Sequence, residues 1–220
     1  MIVLGVDPSL TNFGWALHDT SFPVGDARRC PERGRFQTSP KKMDYIDRYK
    51  TQRWRLFDLI KRTQPDKVGL EFPVFGQMYS EGMYGLFLYT SEALKGAGCD
   101  VVFWTPMQIK AHARDTIDRP KGWKMDKMDM CEAAKMDAAG GRWNHNEADA
   151  YLCARLAARF WMLHTGEISE AQLSERELKY FTEVKTYIRG KKAGKTVKRG
   201  VIHREGDRFF LWSKPPEEIP

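Results

Sequence analysis

The chain has 220 residues, enough to bury a sizeable core in one domain of ordinary size with room for an appendage. Its 36 Lys and Arg outnumber 29 Asp and Glu, a net charge of +7 that favours a polyanionic partner, because basic side chains gain free energy by releasing counterions condensed on phosphates. The 4 cysteines, Cys30, Cys99, Cys131 and Cys153, form no C-x-x-C pair, so they suggest neither a zinc site nor a disulfide framework, and no run approaches the ~18 apolar residues of a membrane span.

The opening MIVLGVDPS lacks the basic flank and longer apolar stretch of a secretory signal, so a soluble cytoplasmic protein with no membrane partner is expected. Residues 2–7, IVLGVD, are an apolar run ending in a carboxylate, and FGWAL at 13–17 follows a Pro/Ser/Asn-bearing turn; together they predict a β-hairpin. RGRFQT at 33–38 adds a third strand. From 43 to 63 the apolar residues Ile46, Tyr49, Leu56, Phe57 and Ile60 recur at helical spacing, and Pro65 stops that helix. VGLEF at 68–72 is a short buried strand with Glu71 near its end, so a second carboxylate terminates a second strand.

The stretch 81–97 predicts a helix despite its glycines, CDVVFWT at 99–105 a further strand, and Pro106 the start of a short helix. Strand and helix now alternate, the pattern of an α/β layer with parallel pairing. Residues 114–123 are polar and broken by Pro and Gly, and 124–138 regains helical character with Met residues. GGRWN at 140–144 breaks that helix; Asn146 is the expected cap of the next, EADAYLCARLAARFWML, with Asp149 in its first turn and Tyr151, Leu152, Leu156, Phe160 and Leu163 on its apolar face. Beyond Gly166 come a further helix, an acid-free basic arm at 189–200, and two β-prone runs at 201–212 joined by Glu-Gly-Asp, a terminal hairpin.

Asp7, Glu71 and Asp149 all sit at element ends. Hard divalent cations such as Mg²⁺ need such a set, a few carboxylates plus water and phosphate oxygens. Two ions about 3.5–4 Å apart can activate a water and stabilise the leaving oxygen of a phosphodiester. Each residue also has an ordinary reading: Asp7 before Pro8 as a turn cap, Glu71 as an edge or salt-bridge residue, Asp149 as a partner of the helix dipole.

GVDPSLTNFGWAL resembles the opening hairpin of RuvC-type Holliday junction resolvases, and further segments match in order: VGLEF the family's second acidic position, PMQIK at 106–110 its Pro-x-x-Val-Lys segment, and NEADAYLCARLA its closing helix. The resemblance spans residues 1–164. It implies an α/β RNase H-like fold, a mixed five-stranded sheet flanked by helices; it says nothing of 165–220, which composition and pattern mark as a small basic C-terminal extension of helix, basic arm and β-hairpin. It implies further a homodimer that resolves Holliday junctions and other branched DNA, such as forks and flaps, with two Mg²⁺ ions for which Mn²⁺ can substitute, leaving 5′-phosphate and 3′-hydroxyl ends. Asp7 would bridge both ions, Glu71 and Asp149 would each hold one, and Lys127 would stabilise charge on the scissile phosphate. The basic tail and the departures from the motif suit a phage-type member, and nucleoid association would follow from the substrate.

One departure stands out. The family places an acidic residue or His three positions before its final Asp, and this chain has Asn146 there, leaving His145 or Glu147 to supply the ligand or a general base. Candidate DNA contacts are Phe75, an aromatic able to wedge between unstacked bases, and the cations Lys110, Arg114, Lys121, Lys124, Lys191, Lys192 and Lys195. Two alternatives remain open. One is a module that binds branched DNA without cutting. The other is an actin-like ATPase or sugar kinase, whose first phosphate loop DPSLTNFGWA also resembles; that architecture duplicates the core, and 220 residues leave no room for a second copy.

Overall fold

The computed structural model describes residues 1–72, 81–120, 122–182, 184–186, 196–198 and 201–212. Strands β1 (Ile2–Asp7), β2 (Asn12–Asp19) and β3 (Arg33–Gln37) form an antiparallel meander. Helix α1 (Tyr45–Thr63) carries the chain across to β4 (Lys67–Glu71), which pairs parallel to β1; α2 (Glu81–Gly96) returns it to β5 (Val101–Trp104), parallel to β4. Helices α3 (Pro106–Thr116), α4 (Lys127–Asp137) and α5 (His145–His164) follow.

After a short α6 (Glu175–Thr182), β6 (Val184–Thr186) and β7 (Thr196–Lys198) pair with each other, and the hairpin β8 (Val201–Glu205) and β9 (Arg208–Trp212) closes the chain. β8 pairs antiparallel with β5, giving the sheet order β3-β2-β1-β4-β5-β8-β9. The sheet thus has seven strands rather than the expected five. The terminal hairpin supplies the other two by covering the β5 edge, which would otherwise expose unpaired backbone groups.

Side chains alternate between the two faces of the sheet. On one face Leu4, Val6, Val68 and Leu70 pack under α1 and α2 with Leu56, Leu59, Leu86 and Leu94. On the other, Val3, Ala16, Val102 and Trp104 meet α3, α4 and α5. Several sequence expectations shift. Ile46, assigned to the apolar face of α1, is 47% exposed, and Arg48 and Gln52 are buried instead. Gln52 Nε2 donates to the carbonyls of Ser9 and Leu10 in the loop after β1, and Arg48 donates to Thr11 in that loop and to Thr38 just beyond β3. The cap of α5 is Asn144, whose side chain accepts from the Asn146 backbone N–H, so Asp149 stands in the second turn.

α5 is the central helix and is buried nearly all round, an arrangement its alanines allow. Gly5 and Gly14 admit it: a Cβ on Gly5 would lie 1.8 Å from the Ala150 carbonyl oxygen, and one on Gly14 2.2 Å from that of Asn146. With no side chain there, the backbone of α5 rests directly on β1 and β2.

Candidate active site

Strand parity decides where the first two carboxylates point. Residues 3, 5 and 7 of β1 share one face, and Gly5 lies against α5, so the Asp7 side chain leaves the sheet towards that helix. In β4 the same holds for Gly69, packed on Cys153 and Ala157 of α5, and therefore for Glu71. Val6 pairs with Leu70 in the parallel register, so Asp7 and Glu71 end adjacent strands side by side. The close descent of α5 on Gly5 then brings in Asp149, one residue before Ala150.

The charges of the three groups register this convergence. The Asp7 carboxyl is raised well above its ordinary value by burial, then by Glu71 and Asp149. Burial, with Asp149 beside it, pushes Glu71 up to about 8, against the pull of Lys110. Burial pushes Asp149 up to about 6, opposed by Lys110 and Lys127. Asp149 Oδ1 is buried without a hydrogen-bond partner among the described residues. Three clustered carboxylates with an unsatisfied oxygen are an all-oxygen donor set short of positive charge, which fits a hard divalent cation.

Lys110 comes from α3, which begins with a capping box between Thr105 and Gln108 and Pro106 in its first position. Lys127 is the first residue of α4, capped by Asp126 with Asp129 completing the box. These two caps place both exposed lysines beside the carboxylates. Lys124 lies exposed in the loop before α4.

The remaining candidates have surroundings of their own. The Glu147 carboxylate lies 3.6 Å from Arg33 Nε and 3.4 Å from Arg35 Nε, two cations from β3. His145 is held below its ordinary value by burial and by Lys127 and Arg35. It lines a cleft of about 600 Å³ with Arg35, Lys127, Arg142 and Trp143. Asn146 Nδ2 donates to the Asn12 carbonyl, fastening the start of α5 to β2. Arg114 Nε lies 3.9 Å from Asp115 Oδ1, its guanidinium mostly covered. Phe75, Lys121, Lys191, Lys192 and Lys195 lie outside the described residues.

Sequence reasoning missed Arg33, Arg35 and Arg142. The first two carried a signal, since residues two apart on a strand share a face. It also missed a buried polar network behind the site. Asp137 of α4, fully buried, lies 3.0 Å from Arg29 and 2.9 Å from Arg155, and accepts from the Tyr151 hydroxyl at 2.6 Å; that hydroxyl meets His18 Nδ1 at 3.1 Å. The network ties β2, α4 and α5 together from beneath.

By sequence, no protein-family model and no curated protein matches the chain. By structure, it is similar to RuvC of Thermus thermophilus. Against RuvC in complex with a Holliday junction substrate the identity is 18% with a TM-score of 0.58, covering 76% of this chain and 97% of that one. Against a second structure of T. thermophilus RuvC it is 19% with a TM-score of 0.57 over the same shares. The chain therefore has the RuvC-like, RNase H-type fold. No described helix is long and apolar enough to cross a membrane.

Proposed function

We propose that this protein is a metal-dependent endonuclease that cuts branched DNA, four-way junctions foremost. The observation that carries the reading is the convergence of Asp7, Glu71 and Asp149 at the ends of β1 and β4 and on α5, faced by Lys110 and Lys127. The similar T. thermophilus protein, bound to a Holliday junction substrate, supports the choice of DNA. Asp7, Glu71 and Asp149 would together hold two Mg²⁺ ions, with Asp7 shared between them. Such a pair supplies an activated water and charge stabilisation at the leaving oxygen, leaving 5′-phosphate and 3′-hydroxyl ends.

The chain's own groups do the rest. The rigid seating of α5 on glycine fixes the carboxylate spacing, so little reorganisation is needed when the phosphate arrives. Lys110 and Lys127 draw the scissile phosphate towards the carboxylates and offset its charge. Lys124, with Arg35 and Arg142 in the adjoining cleft, would hold flanking phosphates. A homodimer would present two such sites to the two strands cut in resolving a junction.

An end-labelled four-way junction tests the reading directly. Wild-type protein with Mg²⁺ should cut it, and Asp7→Asn should bind it with unchanged affinity and leave it intact, because affinity comes from cations rather than from the triad. Tight binding by the wild type without cleavage would instead establish a non-cleaving module, the reading that Asn146 at an expected ligand position favours.

A further inference from the structure

A second cluster of metal-ligating side chains lies at the opposite end of α5 from Asp149. His164, the last residue of the helix, and His203 of β8 both aim Nε2 at one oxygen of Glu205: each nitrogen is 3.0 Å from Oε1. The two rings are 5.0 Å apart, and one ligand atom from each of the three residues falls within 4.8 Å of the others. In a tetrahedral zinc site with bonds of about 2.0–2.1 Å, neighbouring ligand atoms stand about 3.3 Å apart, so the observed spacing needs only a small opening to admit an ion.

The surroundings hold the ligands in place. His203 is 2% exposed, sandwiched by Phe210, which stacks on it at 5.4 Å, and by Phe160 and Trp161. Glu205 and His164 lie at the surface, with side chains 40% and 29% accessible, giving an ion a way in and leaving its fourth position to water. A shared proton is the competing occupant. A bound ion would displace that proton, since imidazole ligates metals in its neutral form.

We propose that His164, His203 and Glu205 form a binding site for Zn²⁺ or a similar borderline transition ion, pinning the β8–β9 hairpin to the end of α5. Two imidazoles and one carboxylate select against Mg²⁺, which prefers oxygen ligands, and fifteen residues of helix at about 1.5 Å each put this site roughly 22 Å from Asp149 along α5. The ion would be structural: it joins the last hairpin to the helix that carries a candidate catalytic carboxylate.

The test uses the full chain, stripped with chelator and then titrated with Co²⁺ and with Zn²⁺. To silence the carboxylate triad, the titration is done in the Asp7→Asn background. One Co²⁺ per chain should give the intense visible absorption of a four-coordinate ion, one equivalent of Zn²⁺ should quench it and raise the melting temperature, and millimolar Mg²⁺ should do neither. His164→Ala and Glu205→Gln, both at accessible positions and so compatible with folding, should each weaken binding by at least about tenfold. The proposal is overturned if Co²⁺ gives no such spectrum, or if the spectrum survives at the same affinity in both variants.

Discussion

Replacing Asp7 by Asn removes one carboxylate from a cluster in which three repel. Without a cation, burial first and then Glu71 and Asp149 hold the Asp7 carboxyl protonated well above 3.8. A carboxyl raised in this way binds its proton more tightly in the folded state. Its contribution to stability is therefore whole below the unfolded pKa and is lost as pH rises through the window up to the folded one. Relieving a buried, uncompensated carboxylate of this kind is worth on the order of 1–3 kcal/mol at pH 7. An amide of the same shape carries no such penalty. Asp7→Asn is thus expected to exceed the wild type in stability by that amount at pH 7 in chelator, with the gap closing near pH 4, as read from urea unfolding followed by circular dichroism. Added Mg²⁺ should reverse the order, since a ligand stabilises the folded state it binds and only the wild type keeps the full set. An Asp7→Asn protein no more stable than wild type at pH 7 in chelator, or a gap unchanged at pH 4, would refute this electrostatic account whatever the nuclease activity.

Asp137→Asn should destabilise by about 3–5 kcal/mol in the same assay, because Arg29 and Arg155 lose the carboxylate that compensates them in a closed site; a loss below about 1 kcal/mol would show the network to be dispensable. His18 is held down to about 3 by burial and then by Arg29, so the unfolded chain takes up a proton there that the folded one refuses. Relative to His18→Gln, the wild type should accordingly lose about 1.4 kcal/mol per pH unit as pH falls from 6 towards 4, and parallel pH profiles would contradict this. Asn146→Asp turns a donor facing the Asn12 carbonyl into a second acceptor, and a loss of about 1–3 kcal/mol with no gain in Mg²⁺ affinity is expected. Tighter Mg²⁺ binding measured by calorimetry would instead make position 146 a ligand site.

What could be read from the sequence was whatever a single element carries within itself. IVLGVD and VGLEF announce buried strands, and their parity already aims Asp7 and Glu71 at one face, because the glycines two residues before each acid mark where another backbone comes close. The cap of α5 fell two residues from its expected place because Asn144 and Asn146 offer the same side chain, and only the tertiary contact of Asn146 with Asn12 separates a cap from a clasp. Glu147 illustrates the deeper limit. Nothing near it in the chain distinguishes a free carboxylate from a paired one; its partners, Arg33 and Arg35, come from a strand more than a hundred residues away. The same holds for the terminal hairpin. Its turn was legible, but its pairing with β5 depends on an edge that exists only once the parallel core has formed. Charge pairing and sheet extension are long-range events, so they stay silent in local pattern even where each participating element is plain. That is why the carboxylates at strand ends could be named from sequence, while the residues that neutralise Glu147 and occupy Asn146 required the fold.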